Sequence, residues 1–89
     1  MMEVEVMDIR KANGNSKMKA FASVKFGGSL IIRGFRVLDG VKGVFVKVPA
    51  QLAKDGRWLD TIAVEEFLRR EVENKVLEAY DQEMDGVKS

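Results

Sequence analysis

Charged side chains are the residues of this sequence best suited to chemistry, because the more reactive types are missing. The 89 residues include 15 Lys or Arg and 14 Asp or Glu, but no His and no Cys. Without His or Cys, the chain cannot build the usual zinc sites, Cys–His dyads or Ser–His–Asp triads. We therefore expect a protein that is not an enzyme and that holds no metal and no cofactor. The lack of Cys also suits a reducing cytoplasm.

The charges are divided unevenly along the chain, although the net charge is only +1. Residues 1–64 contain eleven Lys or Arg and six Asp or Glu, a balance of +5. Residues 65–85 contain three basic and eight acidic residues, a balance of −5. Such a division gives the molecule an electric field with a direction, even though the sum is near zero.

One group of basic residues, Lys17, Lys19 and Lys25, falls on the polar face of a predicted strand. Alternate residues of a strand lie about 6.5–7 Å apart, which is comparable to the phosphate spacing of a nucleic-acid strand. Phe21 lies between these lysines, as a base-stacking aromatic residue would. The alternatives are a solvated face whose lysines discourage edge pairing, and a Phe21 that packs beneath a helix or in a dimer interface.

A second group, Lys54 and Arg57, flanks the turn-forming pair Asp55-Gly56. A turn of this type presents both side chains to solvent. The interpretations are a polar loop tip and a pair of phosphate contacts.

A third group, Arg69 and Arg70, is predicted near the start of a helix. Positive charge at that end opposes the helix dipole, so a binding role would explain its presence. Ion pairs along the helix explain it equally well. The acidic residues within reach are Glu65, Glu66 and Glu73.

The positions of apolar residues predict four consecutive strands joined by short turns. They cover residues 3–11, 17–26, 30–38 and 44–48. In the first of them Met7 and Ile9 fall on the face opposite to Val4 and Val6, which indicates a bulge or a strand buried on both sides. Asn13-Gly14 and Gly27-Gly28 mark two reversals, and residues 39–43 form a loop of about five residues. Residues 50–57 are predicted as loop, and residues 58–62 as a short fifth strand. Trp58 is expected to be a core or interface anchor, because burying its large apolar surface is favourable.

The apolar spacing changes to that of a helix from about residue 64. Leu68, Val72, Val76 and Tyr80 lie four residues apart, and Phe67, Leu77 and Met84 widen the apolar stripe. Gly86 is the predicted stop. The fold class is therefore α+β, with an antiparallel sheet meander of four or five strands followed by one long C-terminal helix. We expect one domain over residues 1–89, with strands within about residues 3–62 and the helix at about 64–85.

The sequence resembles the stage V sporulation protein G (SpoVG, septation regulator) family over roughly residues 3–81. The resemblance is carried by the order and spacing of short motifs in the second hairpin, the following turn and the helix. They are RVLDG at residues 36–40, GVFV at 43–46, Val48-Pro49, Asp55-Gly56 followed by Asp60, and VLEAY at 76–80.

The resemblance implies a bacterial, cytoplasmic homodimer that binds DNA or RNA and regulates gene expression and septation or sporulation. In that family the loop after the Pro and the start of the last helix are implicated in nucleic-acid binding. In this sequence the resemblance implies a nucleic-acid-binding role for Lys54, Arg57 and Arg70. Members usually have basic residues after the Pro, where this chain has Ala50-Gln51-Leu52, so two basic positions are lost.

The alternative function is a dimeric protein-interaction adaptor with little or no nucleic-acid binding. No run of about 18 apolar residues and no basic-then-apolar leader is present, so we expect neither a membrane span nor a secretion signal. We also expect no small-molecule substrate.

Overall fold

A computed structural model describes the backbone of residues 2–12 and 17–88, and side chains as far as residue 83. Within these ranges the main sheet has four antiparallel strands in the order β1-β2-β3-β4, and two short strands form a separate ribbon, β5-β6. One helix, α1, follows the strands. The elements are β1 (Val4–Lys11), β2 (Met18–Phe26), β3 (Leu30–Gly40), β4 (Gly43–Lys47), β5 (Ala50–Leu52), β6 (Trp58–Asp60) and α1 (Glu66–Lys88). The predicted α+β meander with one C-terminal helix is confirmed.

The core lies between the helix and one face of the main sheet. Strand β2 alternates as predicted, because its even-numbered residues from Ala20 onwards are buried. Val72 and Val76 of α1 are 3% and 0% exposed and join the same apolar cluster. The other members of that cluster are Val4, Ala20, Ala22, Val24, Phe26, Phe35 and Val37. We call this side of the sheet the inner face.

The predicted helix stripe is correct at its centre and wrong at one flank. Leu68, Leu77 and Tyr80 are partly buried against the core, in agreement with the spacing. Phe67 is instead 88% exposed. It lies in the first turn of α1 and lines a shallow hollow with Met2 and Leu68. The Met84 side chain is outside the described residues.

Bulges interrupt the pairing of the main sheet at several points. The register shifts between Val6 and Asp8 where β1 pairs with β2, so of the two explanations for the change of face at Met7 the bulge is the one present. Two more shifts occur where β2 pairs with β3, one of them between Ala22 and Ser23. Gly34 is the extra residue of that bulge and has a φ of +98°. Such a backbone favours Gly, because a β-carbon would be strained there.

The hairpin between β3 and β4 is tighter than predicted. Gly40 pairs with Gly43, so the loop has two residues, Val41 and Lys42, rather than about five. Gly43 has a φ of +123° and supplies the backbone conformation needed at the reversal. Asp39 therefore belongs to β3, where it pairs with Val44. The predicted Asn13-Gly14 turn lies outside the described residues, whereas the Gly27-Gly28 reversal is confirmed.

The short fifth strand is present but does not extend the main sheet. Strand β6 pairs with β5, in a segment that the sequence analysis assigned to loop. Thr61 anchors the end of the ribbon, since its backbone N–H donates to the Pro49 carbonyl oxygen at 2.9 Å. Trp58 is 65% exposed, so it is not a core anchor of this chain.

The edge of β4 is partly covered by the helix rather than by another strand. The backbone N–H of Val46 donates to the Glu73 carboxylate of α1 at 3.3 Å. The helix itself begins at Glu66 and continues to Lys88, past the predicted stop at Gly86. A Gly within a helix costs only about 1 kcal/mol relative to Ala, so it need not end the helix. Among the described residues, no helix is both long and apolar enough to cross a membrane.

The position of Val76 gives a direct test of the packing. Replacing it with Asp (Val76→Asp) places a carboxylate without a partner among buried apolar residues, which should cost about 3–5 kcal/mol of unfolding free energy. We expect a large fall in melting temperature, measured by circular dichroism. The matched control is Asn74→Asp, which adds the same side chain at an exposed position of α1. If both variants melt within a few degrees of the parent, the helix does not pack as described.

Candidate nucleic-acid interface

Lys54 and Arg57 lie together in the turn that joins β5 to β6. The turn is closed by backbone hydrogen bonds from Ala53 N–H to the Arg57 oxygen at 2.7 Å and from Gly56 N–H to the Ala53 oxygen at 3.0 Å. Asp55 accepts from the Arg57 backbone N–H at 3.1 Å and from Arg57 Nε at 2.7 Å. The turn therefore presents Lys54 and Arg57 to solvent, with the Arg57 charge partly balanced by Asp55.

Arg69 and Arg70 lie in the first turns of α1 but face different surfaces. Arg70 donates from Nη2 to Glu66 Oε1 at 2.9 Å, so one of the ion pairs weighed in the sequence analysis is present. Arg69 borders a groove of about 730 Å³ between β4, residues 60–64 and α1, together with Asp60 and Glu73. Arg70 borders a separate hollow on the far side of the helix, beside Phe67 and Lys75.

The predicted loop-and-helix group is therefore divided in space. Lys54 and Arg57 belong to the ribbon turn, whereas helix α1 makes its contacts mainly with β1, β2 and β4 of the main sheet. Arg69 and Arg70 border different grooves. A ligand bound in one groove would therefore contact one of these two residues and not both. All four side chains are exposed and accessible to an anion.

Of the three predicted lysines, Lys25 lies on the sheet face opposite the helix, where it pairs with Glu5 of β1. We call this the outer face. Lys17 is exposed just before the strand, and Lys19 and Lys25 are half-buried. Lys19 falls at the bulge between Met18 and Ala20. These three residues therefore form a less regular row than the alternation predicts.

A row of basic residues around Phe21 crosses the outer face at right angles to the strands. Phe21 pairs with Arg10 of β1 on one side and with Arg36 of β3 on the other. Arg36 in turn pairs with Lys47 of β4. Directly opposed side chains in a sheet have β-carbons about 4.5–5.5 Å apart, so this row places a basic residue on each neighbouring strand beside one aromatic residue.

A second row lies next to the first and opens a hollow between them. Ser23 pairs with Asp8 on β1 and with Arg33 on β3. The hollow has a volume of about 420 Å³, and its lining includes Asp8, Arg10, Phe21, Ser23 and Arg33. We call it the outer-face hollow.

Sequence analysis singled out Phe21 but missed Arg10, Arg33, Arg36 and Lys47. Each lies on a different strand from Phe21, so the sequence order does not show that they are neighbours. The bulges near Met7 and at Gly34 also shift the register, and a shift of one residue moves a side chain to the other face. Only the strand register reveals the group.

The part of the chain that the structure describes holds no cluster of metal-ligating side chains, since no group of three or more His, Cys, Asp or Glu is placed there to hold a metal ion. The described ion pairs join near neighbours in sequence, Asp8–Arg10, Asp55–Arg57 and Glu66–Arg70. The chain offers exposed cations and exposed apolar side chains to a partner.

The molecule is thus a small α+β domain in which a sheet separates a basic face from an acidic helix. Comparison of the sequence with models of known protein families identifies the family to which this domain belongs. The SpoVG family model matches residues 2–82, which is most of the chain. The chain belongs to the SpoVG family, as its motifs indicated.

Individual relatives agree with this assignment. A SpoVG septation protein of Archaeoglobus fulgidus is 34% identical over 84 residues, covering 93% of this chain and 99% of the relative. One of Agathobacter rectalis is 30% identical over 87 residues, covering 97% of this chain and 100% of the relative. The names of both relatives refer to septation.

The surface position of the basic residues predicts that they contribute little to stability. Exposed ion pairs are worth about 0–1 kcal/mol, and loss of Arg70 also removes a cation from an unfavourable helix end. We expect the triple variant Lys54→Ala, Arg57→Ala, Arg70→Ala to melt within about 5 °C of the parent. A much larger fall, measured by circular dichroism, would show that these side chains hold the fold together.

Proposed function

We propose that this chain is a non-catalytic regulatory protein of the cytoplasm that binds DNA or RNA and acts in gene expression and septation. The observation that supports it best is the separation of charge across the sheet. The outer face carries Arg10, Arg33, Arg36 and Lys47 against Glu5 and Asp8. The helix on the other side has seven acidic and four basic residues in its sequence. Such a surface attracts a polyanion despite the small net charge.

Phosphate contacts are assigned first to Lys54, Arg57 and Arg70. Their support is the exposure of all three side chains, together with the family resemblance at the turn and the helix start. Arg69 and the lysines of β2 are the other candidates. To bind phosphate, Arg57 and Arg70 would each have to contact the phosphate in addition to their carboxylate partner, or in place of it. Breaking such an exposed ion pair costs little free energy.

Salt dependence separates these candidates. If a dimer uses two copies of Lys54, Arg57 and Arg70, a plot of log affinity for duplex DNA against log salt should have a slope of about −5. The triple alanine variant at these positions should flatten that slope greatly. The rival variant, Lys17→Ala, Lys19→Ala, Lys25→Ala, serves as the matched control with the same loss of charge. If only the rival variant loses binding, the phosphate contacts lie on the sheet face.

We propose that the partner chain is a second copy bound through the β5–β6 ribbon. Leu52 and Trp58 pair directly across the ribbon and are 55% and 65% exposed. In the dimer, this apolar pair would be buried against the same pair of the second copy. Trp58 would then be an interface anchor, which is one of the two roles predicted for it from the sequence. A self-complementary patch of this kind is typical of two-fold dimers.

Light scattering tests the dimer. The parent, with a chain mass of 10.0 kDa, should have a mass of about 20 kDa at tens of micromolar. The variant Leu52→Ser, Trp58→Ser should have the mass of one chain and keep its circular dichroism spectrum, because neither side chain is in the core. A parent that has the mass of one chain at this concentration would overturn the proposal.

The exposed ribbon also favours a second candidate function, that of a dimeric protein-interaction adaptor. The adaptor would use apolar contacts and would not depend on the basic face. Affinity measurements on random DNA and RNA at several salt concentrations distinguish the two functions. Absence of binding even at low salt would favour the adaptor over the regulator.

A further inference from the structure

We propose that the outer-face hollow binds one unpaired nucleotide of a single-stranded nucleic acid, with the base stacked on Phe21 and the phosphates beside Arg10 and Arg33. This inference rests on the proposed nucleic-acid-binding function and defines a preferred form of the ligand. It concerns a surface separate from the ribbon turn and the helix start.

The first observation is the exposure of Phe21 in the middle of the sheet. Phe21 belongs to β2, an interior strand, yet it is 43% exposed, whereas Phe35 on the neighbouring strand is 0% exposed. The helix packs on the inner face and does not cover Phe21. An exposed aromatic residue on a sheet is the type of platform on which proteins stack nucleic-acid bases, and every base has a flat face suited to it.

The second observation is that basic residues lie opposite Phe21 on both neighbouring strands. Arg10 and Arg36 are the cross-strand partners of Phe21. Arg10 uses only Nε in its 3.0 Å pair with Asp8, and its side chain is 80% exposed, so its terminal nitrogens are accessible. Arg36 is held in place, because its Nη2 donates to the Val48 carbonyl oxygen at 2.8 Å.

Arg33 supplies an unpaired charge at the other side of the hollow. It is exposed, and it takes part in none of the ion pairs found among the described residues. A guanidinium group binds a phosphate through two parallel hydrogen bonds, which suits Arg33 and the free end of Arg10 for backbone phosphates on either side of one base.

The third observation is the size and polarity of the hollow. Its volume of about 420 Å³ lies within the range of roughly 300–1,000 Å³ typical of small-ligand sites. Besides the aromatic ring and the arginines, it contains the Ser23 hydroxyl and the Asp8 carboxylate. These groups can donate to and accept from the edge of a base. The hollow therefore combines stacking, phosphate and edge contacts in one place.

The form of the ligand follows from the stacking contact. In a duplex both faces of each base are covered by neighbouring base pairs, and only base edges are accessible in the grooves. Unpaired bases can turn their faces towards a protein side chain. Phe21 can therefore stack on a single strand and not on an intact duplex.

Charge also argues against a second copy of this chain as the occupant. A two-fold contact between outer faces would bring the same basic rows of two molecules together, since equivalent patches meet in such an interface. Like charges placed opposite each other are unfavourable. A polyanion is the complementary partner.

Fluorescence anisotropy with the full chain tests the proposal. The probes are a labelled 12-nucleotide single strand of mixed sequence and the duplex formed with its complement. Phe21→Ala should weaken single-strand binding about tenfold or more, and Phe21→Tyr should restore most of it, because stacking tolerates either aromatic ring. Duplex affinity should change less than about twofold, since the duplex does not use the ring.

Phe45→Ala is the matched control. Phe45 is also on the outer face, is 37% exposed, and lies outside the lining of the hollow. It should leave single-strand affinity within about twofold of the parent. A separate variant, Arg33→Gln, should reduce the salt slope on the single strand by about 0.7, as expected for one lost phosphate contact.

The outcomes separate this inference from the function on which it rests. If Phe21→Ala matches the parent on the single strand, or if Phe45→Ala weakens binding equally, the hollow is not the site although nucleic-acid binding stands. If Phe21→Ala weakens single-strand and duplex binding alike, the preference for unpaired bases is wrong. If the parent binds neither probe at low salt, the proposed function itself fails, and the inference fails with it.

Discussion

The packing of helix α1 against the inner face of the main sheet is the constraint on which the rest of the structure depends. Ala20 and Ala22 are among the smallest side chains of the sheet and are 0% and 2% exposed beneath the helix. Val72 and Val76 of the helix are buried in the same apolar cluster, which is closely packed as protein interiors are. Because strand residues alternate between faces, this contact fixes which side chains of β2 remain in solvent. The outer face, with Phe21 and its basic neighbours, is a consequence of how the inner face is filled.

Bulges then shape the outer face. A regular sheet would continue the alternation set by Ala20 and Ala22 through every strand. The bulge at Gly34 instead adds a residue between Phe35, which is buried, and Arg33, which is exposed. A bulge of this kind bends the strand and changes the direction of its side chains. The outer-face hollow includes Gly34 and Arg33 in its lining, so it is the product of irregular pairing and not of the sheet alone.

Local periodicity explains what the sequence could predict. The alternation of β2 and the four-residue spacing of Val72, Val76 and Tyr80 depend only on neighbouring residues, and both are confirmed. The pairing of β5 with β6 was missed because each strand has three residues, which is too short for an alternation to show. The exposure of Phe67 was missed because it depends on how the helix meets a sheet that is distant in sequence. For the same reason the basic residues of one strand were visible in the sequence, whereas the cross-strand row through Phe21 required the register.

Nuclear magnetic resonance of side-chain signals, on titration of the full chain with a short single strand, tests the central claim most directly. That claim is that the helix commits one face of the sheet to the core and leaves the other to the ligand. We expect chemical-shift changes for the ring of Phe21 and the guanidinium of Arg33, with the signals of the Phe35 ring and the Val76 methyl groups unchanged. Shifts confined to the helix, with Phe21 and Arg33 unaffected by saturating ligand, would contradict it.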